Sequence, residues 1–245
     1  MGATRFFVSG VHAAGDIAAL ADDDARKLLV VLRKSAGAPL EIVDSSGRTF
    51  AARLIVDGTS ARAELERELA ARRPDTLRIT LAQGIPKGQK MDFVVEKATE
   101  LGVATIVPFA SERTVGAERG RDGKVERWRR LAKAAAQQCG RTDVPTVEQP
   151  VGFAELLASI GRYDAAFIPW ELEGGAPLRD RLPALLDGVR DVLAIIGPEG
   201  GLAAAEVASA RERGAHAISL GSRIFRTETA GLVTCSALLY ASGDL

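Results

Sequence analysis

Between residues 91 and 101 the apolar positions recur at helical spacing. Met91, Val94, Val95, Ala98 and Leu101 share one face, and Gly102 ends the run. Short apolar runs flank this helix: LRITLA (77–82) before it and VATIVPF (103–109) after it. Strand, helix and strand in such close succession predict a βαβ unit and a parallel sheet. The rhythm continues with helices over 125–140, 203–214 and 229–241 and strands over 163–169, 191–197 and 216–221. Upstream the pattern is different. RFFV (5–8) predicts a strand, and DDDARKLLVVLRKSAG (22–37) a short helix with an acidic start, a basic end and Gly37 beyond it. Residues 39–57 predict two strands around a Ser-Ser-Gly turn, whereas 61–74 reads equally as strand or helix. Arg72, Arg73 and Pro74 mark a boundary, so the expectation is a β-rich domain over 1–73 and an α/β domain over 74–245.

Composition narrows the class. The chain has 245 residues, 47% hydrophobic and 26% charged, which suits a folded protein with a sizeable core. Lys+Arg and Asp+Glu are both 32, so a nucleic acid would have to be held by a local patch. Cys139 and Cys235 lie far apart, without disulfide or zinc spacing, and read as small core residues. MGATRFFVSG lacks the apolar core of a signal peptide, and no run approaches the ~20 apolar residues of a membrane span. A cytoplasmic protein without membrane contact is expected. The two histidines, His12 and His216, give no metal site and no His-based triad. Neither GxGxxG after a strand nor GxxxxGK[ST] occurs.

Ligands of open α/β sheets sit at the C-terminal ends of strands. Three expected strands run into polar or glycine-rich loops: IPWE (168–171), IGPEGG (196–201) and LGSRIFRTETAG (220–231). Gly197, Gly200 and Gly201 let the backbone come close to a ligand, and Pro198 stiffens the turn. Taken alone, GPEGG also suits an ordinary strand-to-helix turn. Thr227 or Thr229 can cap the last helix, and Glu228 suits the positive end of its dipole. Arg223 and Arg226 do not suit that end. A bound anion or acidic partner accounts for them, as does pairing with Glu199 or Glu228. Residues 113–133 carry eight Lys/Arg against three Asp/Glu, with Arg141 soon after, and the N-terminal part adds Arg5, Arg26, Lys27, Arg33 and Lys34. Such patches hold phosphate backbones through charge.

Four segments in order, KGQKMDFVVEKATELGVATIVPFASERTV (87–115), RWRRLAKAAAQQCGR (127–141), IGPEGG (196–201) and LGSRIFRTETA (220–230), resemble the RsmE family, as do RFFV and VLRKSAG near the start. These are bacterial methyltransferases of uridine N3 in small-subunit (16S) ribosomal RNA. The resemblance spans most of the chain. It implies an N-terminal PUA-like β-barrel that binds RNA and a C-terminal SPOUT α/β domain with a trefoil knot, working as a homodimer on 16S rRNA of the small ribosomal subunit. The knot forms the S-adenosyl-L-methionine site. Carried over, Gly197, Pro198, Glu199, Gly200 and Gly201 form one wall of the pocket and Leu220, Gly221, Ile224, Phe225 and Arg226 the other. Pro169 sits near the adenosine, and Thr227, Glu228 and Thr229 fix the loop, with Thr229 counted among the cofactor contacts. Lys87, Lys90, Arg113 and Arg141 join Arg5, Arg26, Lys27 and Arg33 as expected RNA contacts. The family often has Leu-Arg where Phe225-Arg226 stand, and histidines about where Arg26 and Lys27 stand.

The implied reaction moves a methyl group to uracil N3, which must be aligned and must lose its proton. Arg226 is the first candidate for stabilising the uracil anion, with Arg5 second, and Glu228 is a candidate base. Two rivals are a non-catalytic RNA-binding protein of the same fold and a related ribose 2′-O-methyltransferase.

Overall fold

This computed structural model describes residues 4–71, 75–114, 122–175 and 178–245. The boundary residues Arg72, Arg73 and Pro74, and part of the basic run at 115–121, lie outside them. Two compact units result: Met1–Pro74 with Ala136–Asp143, and Asp75–Ala135 with Val144–Leu245. The β-rich unit thus also takes in residues 136–143, which the sequence had assigned to the α/β part.

The first unit is a five-stranded sheet in the order β1-β3-β4-β5-β2. Its strands are β1 (Thr4–Phe7), β2 (Ile17–Ala19), β3 (Pro39–Val43), β4 (Thr49–Asp57) and β5 (Ser60–Glu68). The ambiguous stretch after residue 60 is a strand because burial alternates along it: Ala61, Ala63 and Leu65 point inward. The expected 22–37 helix is instead a short α1 (Asp22–Arg26) followed by a π-helical turn, Lys27–Val31. That turn buries Leu28 and leaves Val30 and Val31 exposed. Arg33 then takes a left-handed φ of 50°, uncommon for a residue with a side chain. At the β3–β4 turn the buried Asp44 accepts hydrogen bonds from the backbone N–H of His12, Ser46 and Arg48 and from the Ser46 hydroxyl. Burial pushes its carboxyl up, but those donors outweigh it and hold the pKa at about 2.

The second unit is a parallel sheet in the order β12-β10-β11-β6-β7-β8, with β9 also on β7. Its strands are β6 (Arg78–Gly84), β7 (Thr105–Ala110), β8 (Thr146–Val147), β9 (Val151–Gly152), β10 (Ala165–Pro169), β11 (Asp191–Ile196) and β12 (His216–Ile218). The helices are α2 (Lys90–Glu100), α3 (Asp122–Cys139), α4 (Phe153–Ser159), α5 (Leu178–Leu185), α6 (Ala204–Arg211) and α7 (Thr227–Ser242). Strands buried on both faces read as continuous apolar runs. Accordingly Val192, Ala194 and Ile196 of β11 face one core with α2 and α7, and Leu193 and Ile195 face another with α4 and α6. Each such Leu or Ile contributes roughly 1.5–3 kcal/mol by burial. Cys235 belongs to the first core, where burial pushes its thiol up to about 12. Asp244, just past α7, accepts hydrogen bonds from the backbone N–H of Thr76 and Leu77 at the start of β6, at 2.8 and 2.9 Å. Among the described residues no helix is long and apolar enough to cross a membrane.

Candidate functional site

The order β12-β10-β11-β6 sets four strand ends side by side, and the loops leaving β10, β11 and β12 enclose one cavity of about 520 Å³. That size suits a cofactor. Its lining includes Pro169, Gly197, Pro198, Glu199, Gly200, Gly201, Leu220, Gly221, Ile224, Phe225 and Arg226, all expected from the sequence. Thr229 is not on the wall; Thr227 and Ala230 are. Trp170, Glu171, Ile196 and Arg223, which lie in the strand-end loops singled out from the sequence without being named as cofactor contacts, line it as well, as do Lys90, expected to touch RNA, and Leu202 and Ser219, which were not singled out. Position at a strand end was the signal that could have found Ser219, the residue after β12.

The 197–201 turn is closed by Gly201 N–H donating to the Pro198 carbonyl at 2.8 Å, with Gly201 at φ 67°. A Cβ at Gly197 would lie 2.9 Å from the carbonyl carbon of Gly201, and one at Gly84 only 2.5 Å from the nitrogen of Pro198. The last residue of β6 must therefore be glycine for the turn to pass over it. Arg113 donates to the Gly200 carbonyl at 3.0 Å. Glu199 accepts from Lys87 N–H and from the Lys90 ammonium, both at 3.0 Å. Burial alone would raise the Glu199 carboxyl; the backbone donors and Lys90 hold it below its ordinary value. The hydrogen bond to Glu199 holds Lys90 above its own.

At the third loop, Arg226 occupies the N-cap position of α7 in extended geometry, without a side-chain cap. This corrects the expectation that Thr227 or Thr229 caps the helix. Thr227 is the first helical residue, and its hydroxyl donates to the Gly197 carbonyl at 2.5 Å, joining two walls of the pocket. The Arg226 side chain is exposed at the cavity. Glu228 follows in the first turn, its Oε2 buried without a hydrogen-bond partner among the described residues and 3.6 Å from the Lys90 ammonium.

Several expected RNA contacts are engaged within their own unit. Arg5 bonds Glu41 through Nε and Nη2 and the carbonyls of Gly140 and Arg141 through Nη1. That leaves little of it for a substrate, against its expected catalytic role. Lys27 donates to Gln137, Arg141 is buried against Asp143, Lys90 holds Glu199, and Arg113 braces the turn. Arg26, Arg33 and Lys87 remain exposed, without a side-chain partner among the described residues.

Residues 73–239 match the family described as RNA methyltransferase domain. The chain belongs to this family. Among methyltransferases of this family, ribosomal RNA small subunit methyltransferase E of Bacillus subtilis is 35% identical over 67% of this chain and 66% of its own length. Two solved structures extend the likeness to 98% of both chains. One is a methyltransferase of Legionella pneumophila with bound cofactor SAM, at 29% identity and TM-score 0.89. The other is the ribosomal RNA small subunit methyltransferase E of Neisseria gonorrhoeae bound to S-adenosyl methionine, at 32% identity and TM-score 0.87.

Proposed function

We propose that this methyltransferase transfers a methyl group from S-adenosyl-L-methionine to uracil N3 of a uridine in 16S rRNA of the small ribosomal subunit. The observation that carries the reading is a cavity formed by three strand-end loops, with Arg226 on its wall and Glu228 two residues further along α7, in a chain whose fold follows SAM-bound relatives over 98% of its length. The cavity fits the cofactor: glycine backbone forms one wall, where a Cβ would meet the chain, and Leu220, Ile196 and Pro169 supply apolar surface for an adenosine. When bound, the cofactor supplies a methyl group activated by a sulfonium.

The residues of this chain supply the rest. Arg226, exposed and at the cavity, stabilises the anion that forms as N3 loses its proton. Glu228, with a buried oxygen lacking a hydrogen-bond partner, takes that proton. Lys90 keeps the Glu199 and Glu228 carboxylates in place. Arg26 and Arg33 in the β-rich unit, with the exposed Val30 and Val31 beside them, are the RNA-facing residues of a PUA-like barrel. We read the α/β unit as a SPOUT domain whose last helix follows a trefoil knot. The outer side of α7, where Tyr240 is exposed, is the surface for a second copy.

The test is a methylation assay with labelled S-adenosylmethionine and unmethylated small subunits, followed by digestion to nucleosides. A 3-methyluridine peak is expected. A 2′-O-methylated nucleoside would overturn the assigned position, and cofactor binding without transfer would point to another RNA.

A further inference from the structure

Gln83 lies fully buried near the end of β6, at the centre of the sheet, and was not among the residues read as functional. Its Nε2 donates to the Thr227 hydroxyl oxygen at 2.8 Å and approaches its neighbour's Gly84 carbonyl at 3.2 Å. The Thr227 hydroxyl has one proton, and that proton goes to the Gly197 carbonyl at 2.5 Å. Toward Gln83 this oxygen can only accept, so Gln83 must present its NH₂. That orientation leaves Gln83 Oε1 buried without a hydrogen-bond partner among the described residues. A buried amide with half its polar capacity unused is costly, and its surroundings confirm how tightly it is placed. A Cβ at Gly231 of α7 would lie 3.0 Å from Oε1. A hydrophobic side chain of the same length would fill this space without the penalty but could not hold Thr227.

We propose that Gln83 is a positioning residue for the cofactor turn, holding Gly197 through the Thr227 hydroxyl. The relay ties β6, α7 and the 197–201 turn at one point, while Gly84, the next residue, gives the turn room to cross the strand. A glutamate at 83 would serve only when protonated, because an ionised carboxylate has no proton to give Thr227. Gln83 does not line the cavity, so it acts on the cofactor only through the turn. The inference rests on the cofactor reading above.

The test compares Gln83→Met, Thr227→Val, the double variant and Thr227→Ser with the unmodified protein, measuring S-adenosylmethionine binding by calorimetry. Gln83→Met should raise the Kd about tenfold, the scale of one hydrogen bond. The KM for cofactor should rise with it, while kcat at saturating cofactor holds. The double variant should bind no worse than the weaker single variant, because both break one relay. Thr227→Ser, which keeps the hydroxyl, should restore most of the affinity lost in Thr227→Val. Unchanged binding in Gln83→Met, or losses that simply multiply, would overturn the proposal. If Gln83→Met does not fold, the Thr227→Val and Thr227→Ser pair decides: equal affinity in the two sinks it. If the unmodified protein binds no cofactor, the cofactor reading fails. Exchange of the Gly201 amide in the ligand-free protein then judges the relay, faster exchange in Thr227→Val supporting it and unchanged exchange overturning it.

Discussion

A methyl group added at Gly84 would lie 2.5 Å from the nitrogen of Pro198 and 2.8 Å from the carbonyl carbon of Gly197. Both are backbone or ring atoms, so the turn itself must move. Gly84→Ala is therefore expected to cost about 1–3 kcal/mol of stability and to weaken cofactor binding strongly, checked by thermal melting and calorimetry. Arg226→Ala acts on the reaction instead. It should lower kcat about a hundredfold and leave the melting temperature unchanged, and normal turnover would remove Arg226 from the mechanism. Glu228→Gln keeps the shape but loses the proton acceptor, with an expected loss of at least about a hundredfold in kcat in single-turnover assays. At this scale the sequence was informative about the cavity walls, because glycines and prolines after apolar runs mark backbone that a ligand can approach. It was silent on Gln83 and on Lys90 as the partner of Glu199 and Glu228. A lone glutamine in a strand and a lysine at a helix start look like any others until their partners, 144 and 109 residues away, are known. Nor did charge show that Arg5, Arg113 and Arg141, read as RNA contacts, each also bond groups of their own protein.

Among the elements, the β3–β4 turn offers a clean test of linkage. The Asp44 carboxyl is depressed from 3.8 to about 2 on folding. Its contribution is thus fully present above the unfolded value and is lost as pH falls through the folded one. Asp44→Asn should cost roughly 2 kcal/mol at neutral pH, and the penalty should shrink between pH 4 and pH 2, as followed by denaturant melts across that range. The sequence already marked this turn through Ser-Ser-Gly, and the helix α2 through its 3.6-residue spacing, because both signals are local. It missed β2, α4 and α5, which are short and owe their form to packing. The 22–37 segment was half legible. Its acidic start does open a helix, but Leu28 is the buried anchor, and the consecutive Val30 and Val31 have no inward face to continue it.

At the scale of the molecule, the alternation of strands and helices was enough to predict a parallel α/β unit, whereas strand order was not legible at all. β6 is paired with β11 and β7, and no local pattern says that residue 78 will meet residue 191. Nor does any pattern foretell that residues 136–143 cluster with the β-rich unit. The same remoteness has a kinetic consequence. Thr227 meets Gln83 across 144 residues, and Asp244 meets Thr76 across 168. Contacts so far apart in the chain close late, and sheets built from them fold slowly. A cavity whose walls are joined by such contacts is expected to form after the barrier, so a ligand that recognises it should stabilise the finished fold and not the transition state. Saturating S-adenosylmethionine should slow unfolding and leave the refolding rate unchanged in stopped-flow measurements. A newly made chain would then gain its cofactor as the final event of folding, and the bound molecule would act as a latch on the completed domain rather than as a template for building it.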